Sequence, residues 1–514
     1  MLAHMRSMSV LGIDAFSIEV EVDISKGLPG ITIVGLPDKS VSESKDRVRS
    51  AIRNAGFEFP SRRITVNLAP CDIRKEGPSF DMAIAMGILA ASGSLESLHL
   101  DEFVIVGELA LDGTVRDVGG VLPIAMEVKK NKPPCLVVPW NNFSEATLVS
   151  GVRVYPVKTL REAVEVVSAG PAGPGREDAP LRSPAAEPEE SYEDFCDVKG
   201  HRGAKRALEV AAAGHHNIVM VGPPGSGKTM LARRFSSILP PMSFEEAIEV
   251  TKIYSVQGLL PPERPLITER PFRAPHNSSS YAGLVGGGRV PRPGEISFAH
   301  HGVLFLDELP EFRRDVLEML RQPLEDGTVV ISRAHTSVTY PSSFMLIGSM
   351  NPCPCGFLMD PLRRCECTPQ RIQKYRTRIS GPLMDRIDIH IEVPRLPLED
   401  LGRRPSGEAS KAIRERVMRT RLIQQERFGR GSIRWNAHMS PAEVERFCLV
   451  DREGGNLLRE GVERLALSAR AYTRVLKLSR TIADLEGSGR IKMHHVAEAL
   501  QYRSLDRPFF MEGL

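Results

Sequence analysis

Residues 222–229 have the types and spacing of a loop that holds a phosphate. They read GPPGSGKT, which fits the pattern G-x-x-x-x-G-K-[ST]. Glycines let backbone N–H groups turn towards a phosphate, and the start of the following helix adds its positive end. We expect the Lys ammonium to reach the β- and γ-phosphates of ATP and the Thr hydroxyl to ligate Mg²⁺. The residues of this predicted P-loop are Gly222, Pro223, Pro224, Gly225, Ser226, Gly227, Lys228 and Thr229.

Three further polar residues supply what hydrolysis needs beyond binding. Asp307 and Glu308 follow an apolar run in GVLFLDELPEF. Asp307 is predicted to hold Mg²⁺, often through water, and Glu308 to polarise the attacking water; a helix cap is the alternative use of such residues. Asn351 ends the next apolar run, LIGSMN, and is placed to orient that water or to contact the γ-phosphate. Its alternative is a polar turn residue before Pro352.

A cluster of cysteines follows in NPCPCGFLMDPLRRCECTPQ. It contains two C-x-C pairs, and four thiolates can bind zinc in a closed tetrahedral site. In a reducing compartment such clustering indicates a metal before a disulfide. We therefore predict a zinc site that pins the loop after Asn351, with free thiols or an oxidisable pair as the alternative. The predicted ligands are Cys353, Cys355, Cys365 and Cys367.

The elements around these residues predict a parallel α/β sheet followed by helices. AKRALEVAAAG reads as a helix and NIVMVG as a short buried strand that runs into the P-loop. Strand, loop and helix in this order begin a parallel nucleotide-binding sheet, which GVLFLDE and FMLIGSMN extend. From about residue 397 the pattern is helical, with ALSARAYTRVLKLSRTIADL as the longest amphipathic run. This last part is predicted to be a helical lid.

The N-terminal part predicts a separate mixed α/β domain. FSIEVEVDI and GITIVGL read as strands, SVSESKDRVRSAIRNAG as an amphipathic helix, and DMAIAMGILAASG as a buried helix. FVIVGELALDGTVR predicts a strand hairpin that turns at Asp112 and Gly113. Residues rich in Pro, Ala, Gly and charge indicate a linker after it. The predicted limits are 1–167 for this domain, 168–191 for the linker, 192–396 for the nucleotide-binding core and 397–514 for the lid.

Composition and charge indicate where the protein works and whether it can bind nucleic acid. The 514 residues have a net charge of +3, yet residues 401–514 alone hold 22 Lys or Arg against 14 Asp or Glu. Such a basic segment can meet nucleic acid, or it can be an exposed Arg-rich helical face. The segment MLAHMRSMSVLGIDAF is too short and too weakly apolar for a secretion signal, and no run has membrane-spanning length. We expect a cytoplasmic protein without a membrane partner.

Taken together, these motifs resemble the AAA+ ATPase module, with Asn351 at the sensor 1 position. SGPLMDRIDIHIEV resembles the arginine-finger segment of the magnesium-chelatase and replicative-helicase branch. That resemblance implies that Arg386 acts on the ATP of a neighbouring subunit. It also implies that Arg470 is the sensor 2 residue of the lid, with Arg474 as its competitor. For each arginine the alternative is a surface salt bridge.

Two insertions resemble the helix-2 insert and the pre-sensor-1 hairpin of that branch, which face the pore of a ring. The first is RAPHNSSSYAGLVGGGRVPRPGEISFAHHG, which lacks the paired histidines expected after AP, and the second is GTVVISRAHTSVTYPSSF. Cations on such loops can contact DNA phosphates. The candidate DNA contacts are Arg333, His335 and Arg289, and the aromatic residues nearby are Tyr281 and Tyr340. A hairpin that only braces the ring is the alternative.

KEGPSFDMAIAMGILAASG and GELALDGTVRDVGGVLPIAMEV resemble the protease domain of Lon. Ser79 falls at the place of the nucleophile. The chain reads Gly119, Gly120, Val121 and Leu122 where that family has a lysine, and a Ser hydroxyl without a general base is a poor nucleophile. The resemblance therefore implies a non-proteolytic domain, as in the recombination ATPase RadA. A residual peptidase is the alternative.

From end to end the chain resembles the YifB/ComM family of magnesium-chelatase-like AAA+ proteins, and NPCPCG is its most distinctive stretch. The resemblance implies an N-terminal Lon-like α/β domain, a central AAA+ parallel α/β sheet and a C-terminal helical lid. It implies an ATP- and Mg²⁺-dependent homohexameric motor that drives branch migration of DNA during integration of transforming DNA. The alternatives are the ATPase subunit of a magnesium chelatase and a ring in which ATP only assembles subunits.

Overall fold

The structure is a computed structural model of the chain. Packing divides the chain into two compact units. The first unit comprises Met1–Ala185 and Ser243–Ile267, and the second comprises Ala186–Met242 and Thr268–Leu514. Within them the structure describes residues 2–71, 75, 77–95, 97–130, 135–172, 193–261, 263–288, 291–333, 336–358, 360–396, 407–429, 435–465 and 467–503.

A mixed sheet of seven strands forms the centre of the first unit. Its second, third and fourth strands pair antiparallel, and the remaining neighbours pair parallel. Buried and exposed side chains alternate along Asp14–Ser25, as expected for a strand that packs on one face. In sheet order the strands are Gly30–Val34, Arg63–Ala69, Asp14–Ser25, Leu2–Leu11, Phe103–Ile105, Cys135–Pro139 and Arg153–Val157.

The helices of the first unit include the two predicted from sequence. Lys39–Asn54 begins at Asp38, whose side chain accepts a hydrogen bond from the Val41 backbone N–H at 2.7 Å. Asp81–Ser92 is buried on almost every face, as its apolar sequence predicts. The α-helices are Lys39–Asn54, Asp81–Ser92, Val121–Lys130, Phe143–Ala146, Leu160–Ala169 and Phe244–Ser255.

A parallel sheet of five strands forms the centre of the second unit, which confirms the predicted sheet. Its strands are short, and those at its middle are buried throughout, the pattern of a sheet covered on both faces. The carboxyl ends of parallel strands meet at one edge, so residues that follow them lie together. In sheet order the strands are Phe272–Arg273, Val303–Leu306, Met345–Met350, Ile218–Val221 and Ile389–Glu392.

The C-terminal part of the second unit is helical, as predicted. From residue 407 onwards the described residues form helices without a strand longer than an isolated bridge. Among the residues that the structure describes, the α-helices of the second unit are Arg202–Gly214, Lys228–Arg234, Tyr281–Leu284, Glu295–Phe298, Arg314–Glu318, Arg321–Asp326, Pro369–Arg376, Gly381–Met384, Ser410–Phe428, Pro441–Phe447, Arg452–Leu465, Ala469–Leu485 and Met493–Gln501.

The longest helix of this part is not the one predicted as the longest amphipathic run. Ser410–Phe428 has 19 residues, whereas Ala469–Leu485 has 17. The buried face of the longer helix is partly polar: Arg421 donates to the Ala212 carbonyl oxygen at 2.7 Å, and the nearby Gln424 is likewise buried. Hydrogen-bonded polar residues on a buried face weaken the apolar periodicity, which is why the sequence signal missed its length.

Two small hairpins stand apart from the parallel sheet. Thr328–Arg333 pairs antiparallel with Thr336–Pro341, which confirms the predicted hairpin. Gly286–Gly287 pairs with Arg292–Pro293 inside the first insertion. The residues at both tips, His335 and Arg289 among them, lie outside the described residues.

The prediction for FVIVGELALDGTVR was partly wrong. Its first residues, Phe103–Ile105, join the seven-stranded sheet, and only Glu108–Leu109 and Val115–Arg116 form the hairpin. Gly107 separates the two because its backbone N–H donates to the Ser79 carbonyl oxygen at 2.9 Å instead of continuing a strand ladder.

The predicted domain limits stay predictions. Most of the linker predicted over 168–191 lies outside the described residues, after the helix Leu160–Ala169 has ended. The helix Phe244–Ser255 packs with the first unit, although its sequence position lies inside the predicted nucleotide-binding core.

A helix needs about 20 mostly apolar residues to cross a bilayer. None of the helices in the described ranges combines that length with that apolar character.

Candidate functional site

The P-loop connects the strand Ile218–Val221 to the helix Lys228–Arg234. A Cβ on Gly222 would lie 2.1 Å from the Val393 carbonyl oxygen, so no side chain fits there. Gly227 starts the helix with φ 91°, a conformation that residues with a side chain rarely adopt. The backbone therefore requires glycine at both ends of this loop.

Lys228 is buried, and its ammonium faces neutral oxygen atoms. The Nζ donates to the carbonyl oxygens of Gly222 at 2.7 Å and Pro223 at 3.0 Å, and to Asn351 Oδ1 at 3.4 Å. Burial lowers the pKa of Lys228, and the carboxylate of Asp307 opposes that shift. No direct ion pair to Lys228 occurs in the part of the chain that the structure describes.

Asp307 accepts two hydroxyl hydrogen bonds at the end of its strand. Thr229 Oγ1 donates to Asp307 Oδ2 at 2.9 Å, and Ser349 Oγ donates to the other carboxylate oxygen. Sequence reasoning missed Ser349. A signal was present, because Ser349 and Asn351 are two residues apart and so share one face of a strand.

Glu308 has an unusual backbone conformation, and its side chain does not cap the turn that follows it. Its φ of 53° lies in the left-handed region, which costs energy in a residue with a side chain and often marks a functional position. The carboxylate makes no capping hydrogen bond to the turn Leu309–Glu311. Instead it accepts from Asn277 Nδ2 at 3.2 Å. Asn277, in the first insertion, is a second residue that sequence reasoning missed.

The three predicted arginines lie around one carboxylate. Arg386 forms an ion pair with Glu325, with 2.5 Å between Nη2 and Oε1. Arg474 pairs with the buried Asp388, whereas Arg470 is exposed. The positive charges of Arg386, Arg470 and Arg474 all lower the pKa of Glu325, with the hydrogen bond from Arg386 as the largest cause.

The four predicted zinc ligands form one cluster. Cys353 Sγ lies 3.3 Å from Cys355 Sγ and 3.6 Å from Cys365 Sγ, and all four sulfur atoms, including that of Cys367, lie within 4.8 Å of one another. A tetrahedral zinc site with Zn–S bonds of about 2.3 Å needs sulfur atoms about 3.8 Å apart. The distances between the sulfur atoms are therefore close to those of a zinc site. None of the four cysteines forms a disulfide, so all four are available as ligands.

The cysteine loop also contacts the P-loop. A Cβ on Gly356, whose φ is 83°, would lie 2.6 Å from Pro224 Cδ, so the loop can approach this closely only as glycine. The guanidinium of Arg376 donates to the Pro352 carbonyl oxygen at 3.1 Å. Asn351 therefore leads into a loop that is fixed against both the P-loop and the helix Pro369–Arg376.

The two insertions meet each other. Arg333 is exposed, and its Nη2 would lie 3.1 Å from a Cβ on Gly287. Tyr340 is buried and donates from its hydroxyl to the Pro291 carbonyl oxygen at 2.8 Å, so its ring is not free to stack on a base. Tyr281 is 44% exposed.

Comparisons with known proteins place the chain in a family. Three profiles match: "Magnesium chelatase, subunit ChlI" over residues 194–401, "Subunit ChlI of Mg-chelatase" over 20–142, and "Magnesium chelatase, subunit ChlI C-terminal" over 407–503. Competence protein ComM of Haemophilus influenzae is 46% identical over 98% of each chain. The chain belongs to the YifB/ComM family. The YifB proteins of Salmonella typhimurium and Escherichia coli are each 42% identical over 98% of each chain.

In this YifB/ComM chain, residues 119–122, where the resemblance to Lon would place a lysine, make structural contacts within the first unit. Leu122 is buried in the helix Val121–Lys130, and its backbone N–H donates to the Glu145 carboxylate at 2.8 Å. Gly120 donates from its backbone N–H to the Ser255 carbonyl oxygen at 2.8 Å. The double glycine therefore contacts the C-terminal end of the helix Phe244–Ser255.

A cleft beside the P-loop is a further feature that sequence reasoning missed in this YifB/ComM chain. Its volume is about 630 Å³. His201 has φ 50°, and its Nε2 would lie 3.7 Å from a Cβ on Gly227. Burial lowers the pKa of His201, which favours the neutral ring. The cleft is lined by Val198, Lys199, Gly200, His201, Arg202, Lys205, Arg206, Glu209, Leu396, Gly407, Glu408, Ile413 and Arg416.

Proposed function

We propose that this protein is an ATP-hydrolysing AAA+ motor that works on DNA as a homohexameric ring and drives branch migration of recombining DNA. One observation carries the ATPase part. The P-loop, Asp307 and Asn351 follow three adjacent parallel strands, and Asp307 and Asn351 lie within hydrogen-bond distance of the P-loop side chains Thr229 and Lys228. Parallel sheets bind ligands at this edge.

The residues at this edge fit ATP with Mg²⁺. The hydroxyl of Thr229 and the carboxylate of Asp307 are 2.9 Å apart, and oxygen atoms of these types are the ligands that Mg²⁺ prefers. When bound, the ion would neutralise charge on the phosphates. Lys228 would exchange its neutral carbonyl partners for phosphate oxygens. Glu308 would polarise the attacking water, and Asn351 would orient it. The cleft beside His201 would bind the adenine base of ATP.

Two observations support DNA as the polymer. The Haemophilus influenzae relative is named a competence protein, and competence is the uptake of DNA by cells. Arg333 is exposed on a hairpin that packs on the glycine loop of the first insertion. A cation presented by six copies of such a hairpin could follow a phosphate backbone through a pore.

We expect Arg333→Ala to weaken the stimulation of ATP turnover by DNA. Loss of one phosphate contact should weaken binding to all sequences alike and lower the slope of log affinity against log salt by about 1. Steady-state ATPase rates with single-stranded, duplex and four-way-junction DNA at several salt concentrations provide the measurement.

The matched control for this variant is Arg313→Ala. Arg313 is an exposed arginine whose guanidinium forms an ion pair with Asp315, with 2.6 Å between Nη2 and Oδ2. The Arg313→Ala change therefore removes the same charge as Arg333→Ala, but outside the hairpin. Equal stimulation in the Arg333 variant, the Arg313 variant and the wild type would exclude the hairpin as the DNA contact.

The cysteine cluster is proposed to hold one structural zinc ion per chain. We expect metal analysis of the purified protein to find about one zinc ion per chain, because a four-cysteine site is closed and complete. Cys365→Ser should lose the ion, and Cys196→Ser, which lies outside the cluster, should keep it. A protein purified without chelators that contains no zinc would exclude the site.

A second candidate is the ATPase subunit of a magnesium-chelatase complex. The profile match over residues 194–401 favours it. The DNA experiment above separates the two candidates, because a chelatase subunit should hydrolyse ATP at the same rate with and without DNA.

We also propose a Lon-like fold without peptidase chemistry for the first unit. The support is its mixed sheet together with residues 119–122, which hold the buried Leu122 and no lysine where the Lon family has one. Ser79 would then lack the lysine that activates the nucleophile in the Lon family.

A further inference from the structure

Arg386 cannot act on another subunit from the position it has. Its side chain is 5% exposed, Nη2 is held by Glu325 at 2.5 Å, and Nη1 donates to the Pro382 carbonyl oxygen at 2.7 Å. A group that stabilises charge on the ATP of a neighbouring copy must reach beyond its own surface. Whatever holds Arg386 therefore controls when it becomes available.

Glu325 is the acidic residue that three arginines share. Arg474 has its own partner, since it pairs with the buried Asp388 and also donates to the Arg386 carbonyl oxygen at 3.1 Å. Arg470 has no ion pair among the residues that the structure describes. Glu325 is about half exposed, at 46%, so an anion could compete with it directly for the exposed Arg470, and for the buried Arg386 once that side chain moves.

Glu325 also lies at the base of the hairpin that carries Arg333. It sits in the last turn of the helix Arg321–Asp326, which ends at Gly327 with φ 65°. The Gly327 backbone N–H donates to the Pro323 carbonyl oxygen at 3.0 Å, and its own carbonyl oxygen accepts from Ser342 N at 2.8 Å. One residue thus joins the helix turn of Glu325 to both strands of the hairpin.

We infer that Glu325 is a positioning residue that holds Arg386 within its own subunit, and that engagement of the hairpin by DNA releases Arg386 for the ATP of the neighbouring copy. This inference rests on the proposed function. The ion pair between Glu325 and Arg386 would then couple DNA binding to ATP hydrolysis. The triphosphate of the neighbour then replaces the Glu325 carboxylate as the partner of Arg386.

The first test compares ATP turnover with and without DNA in Glu325→Gln and Glu325→Ala. Because a charged hydrogen bond shifts an equilibrium by about tenfold or more, we expect DNA-free turnover to rise about tenfold. The ratio of the rates with and without DNA should fall towards one. The double variant Glu325→Ala with Arg386→Ala should lose the gain. Asp326→Asn, an exposed neighbour with the same change in charge, should behave as wild type.

The second test does not depend on hydrolysis. Phenylglyoxal modifies accessible guanidinium groups, and mass spectrometry reports the modification of Arg386 alone. We expect Arg386 to react about tenfold faster in Glu325→Ala than in the wild type or Asp326→Asn, with unchanged circular dichroism showing that each protein is folded. Equal rates would overturn the inference, as would unchanged DNA-free turnover with an intact DNA ratio. A wild type without ATPase activity would instead refute the proposed function, because the phenylglyoxal result stands apart from it.

Discussion

Replacing Glu308 with Gln is expected to lower the steady-state rate of ATP hydrolysis by about 10²- to 10⁴-fold, the usual contribution of a positioned general base. Gln has nearly the same shape, so it can keep the hydrogen bond that Asn277 now donates to Glu308. It lacks the negative charge that polarises the attacking water. The left-handed conformation of residue 308 is unaffected, since both side chains meet the same backbone constraint.

ATP binding should survive this change, because the P-loop, Lys228 and Asp307 are untouched. Phosphate release measures turnover, and titration with a fluorescent ATP analogue measures affinity. Glu311→Gln is the matched control: Glu311 lies three residues further along and pairs with Arg378 at 2.8 Å, so the same loss of charge occurs away from the P-loop edge. Turnover that is unchanged in Glu308→Gln would remove Glu308 from its proposed role.

The sequence predicted the elements of the candidate site because each depends on local spacing. The P-loop is a contiguous motif, and Asp307 and Asn351 each end a buried apolar run. Once the runs are taken as parallel strands, their carboxyl ends must share one edge. The structure brings Thr229 to Asp307 and Lys228 to Asn351 in this way.

Partners that depend on distant segments were not predictable by the same reasoning. Asn277 reaches Glu308 from an irregular insertion in which no periodicity fixes where a side chain lies. Glu325 and Arg386 form an ion pair although they are 61 positions apart in the sequence, and only the packing of the helix Arg321–Asp326 brings them together. Ser349 is an intermediate case, because its spacing from Asn351 carried a usable signal.

The fold shows the same division. Apolar periodicity identified strands such as Asp14–Ser25 and Ile218–Val221, but it left others, such as Leu2–Leu11 and Cys135–Pro139, unpredicted. It also did not show which sheet a strand joins, and Phe103–Ile105 was therefore assigned to a hairpin. Nor could it show that Phe244–Ser255 packs with the first unit, since that depends on contacts such as Gly120 to the Ser255 carbonyl oxygen. Sheet membership and unit membership are properties of tertiary packing.

Replacing Arg386 with Ala is expected to lower ATP turnover by about 10³- to 10⁵-fold, the range for arginine fingers in general. The fold should tolerate the change. Glu325, its ion-pair partner, is about half exposed and still faces Arg470 and Arg474, so no carboxylate is left buried without a positive charge nearby. ATP affinity should change little, because Arg386 is proposed to serve the site of another subunit.

Mixing two inactive variants tests whether Arg386 acts between subunits. A ring built from Glu308→Gln and Arg386→Ala chains has interfaces at which one chain supplies Glu308 and its neighbour supplies Arg386. With random head-to-tail assembly of equal amounts, about one quarter of the sites should be complete, so activity should return. If Arg386 served the ATP of its own chain, no site in the mixture would hold both residues. A mixture as inactive as either variant alone would therefore contradict action in trans.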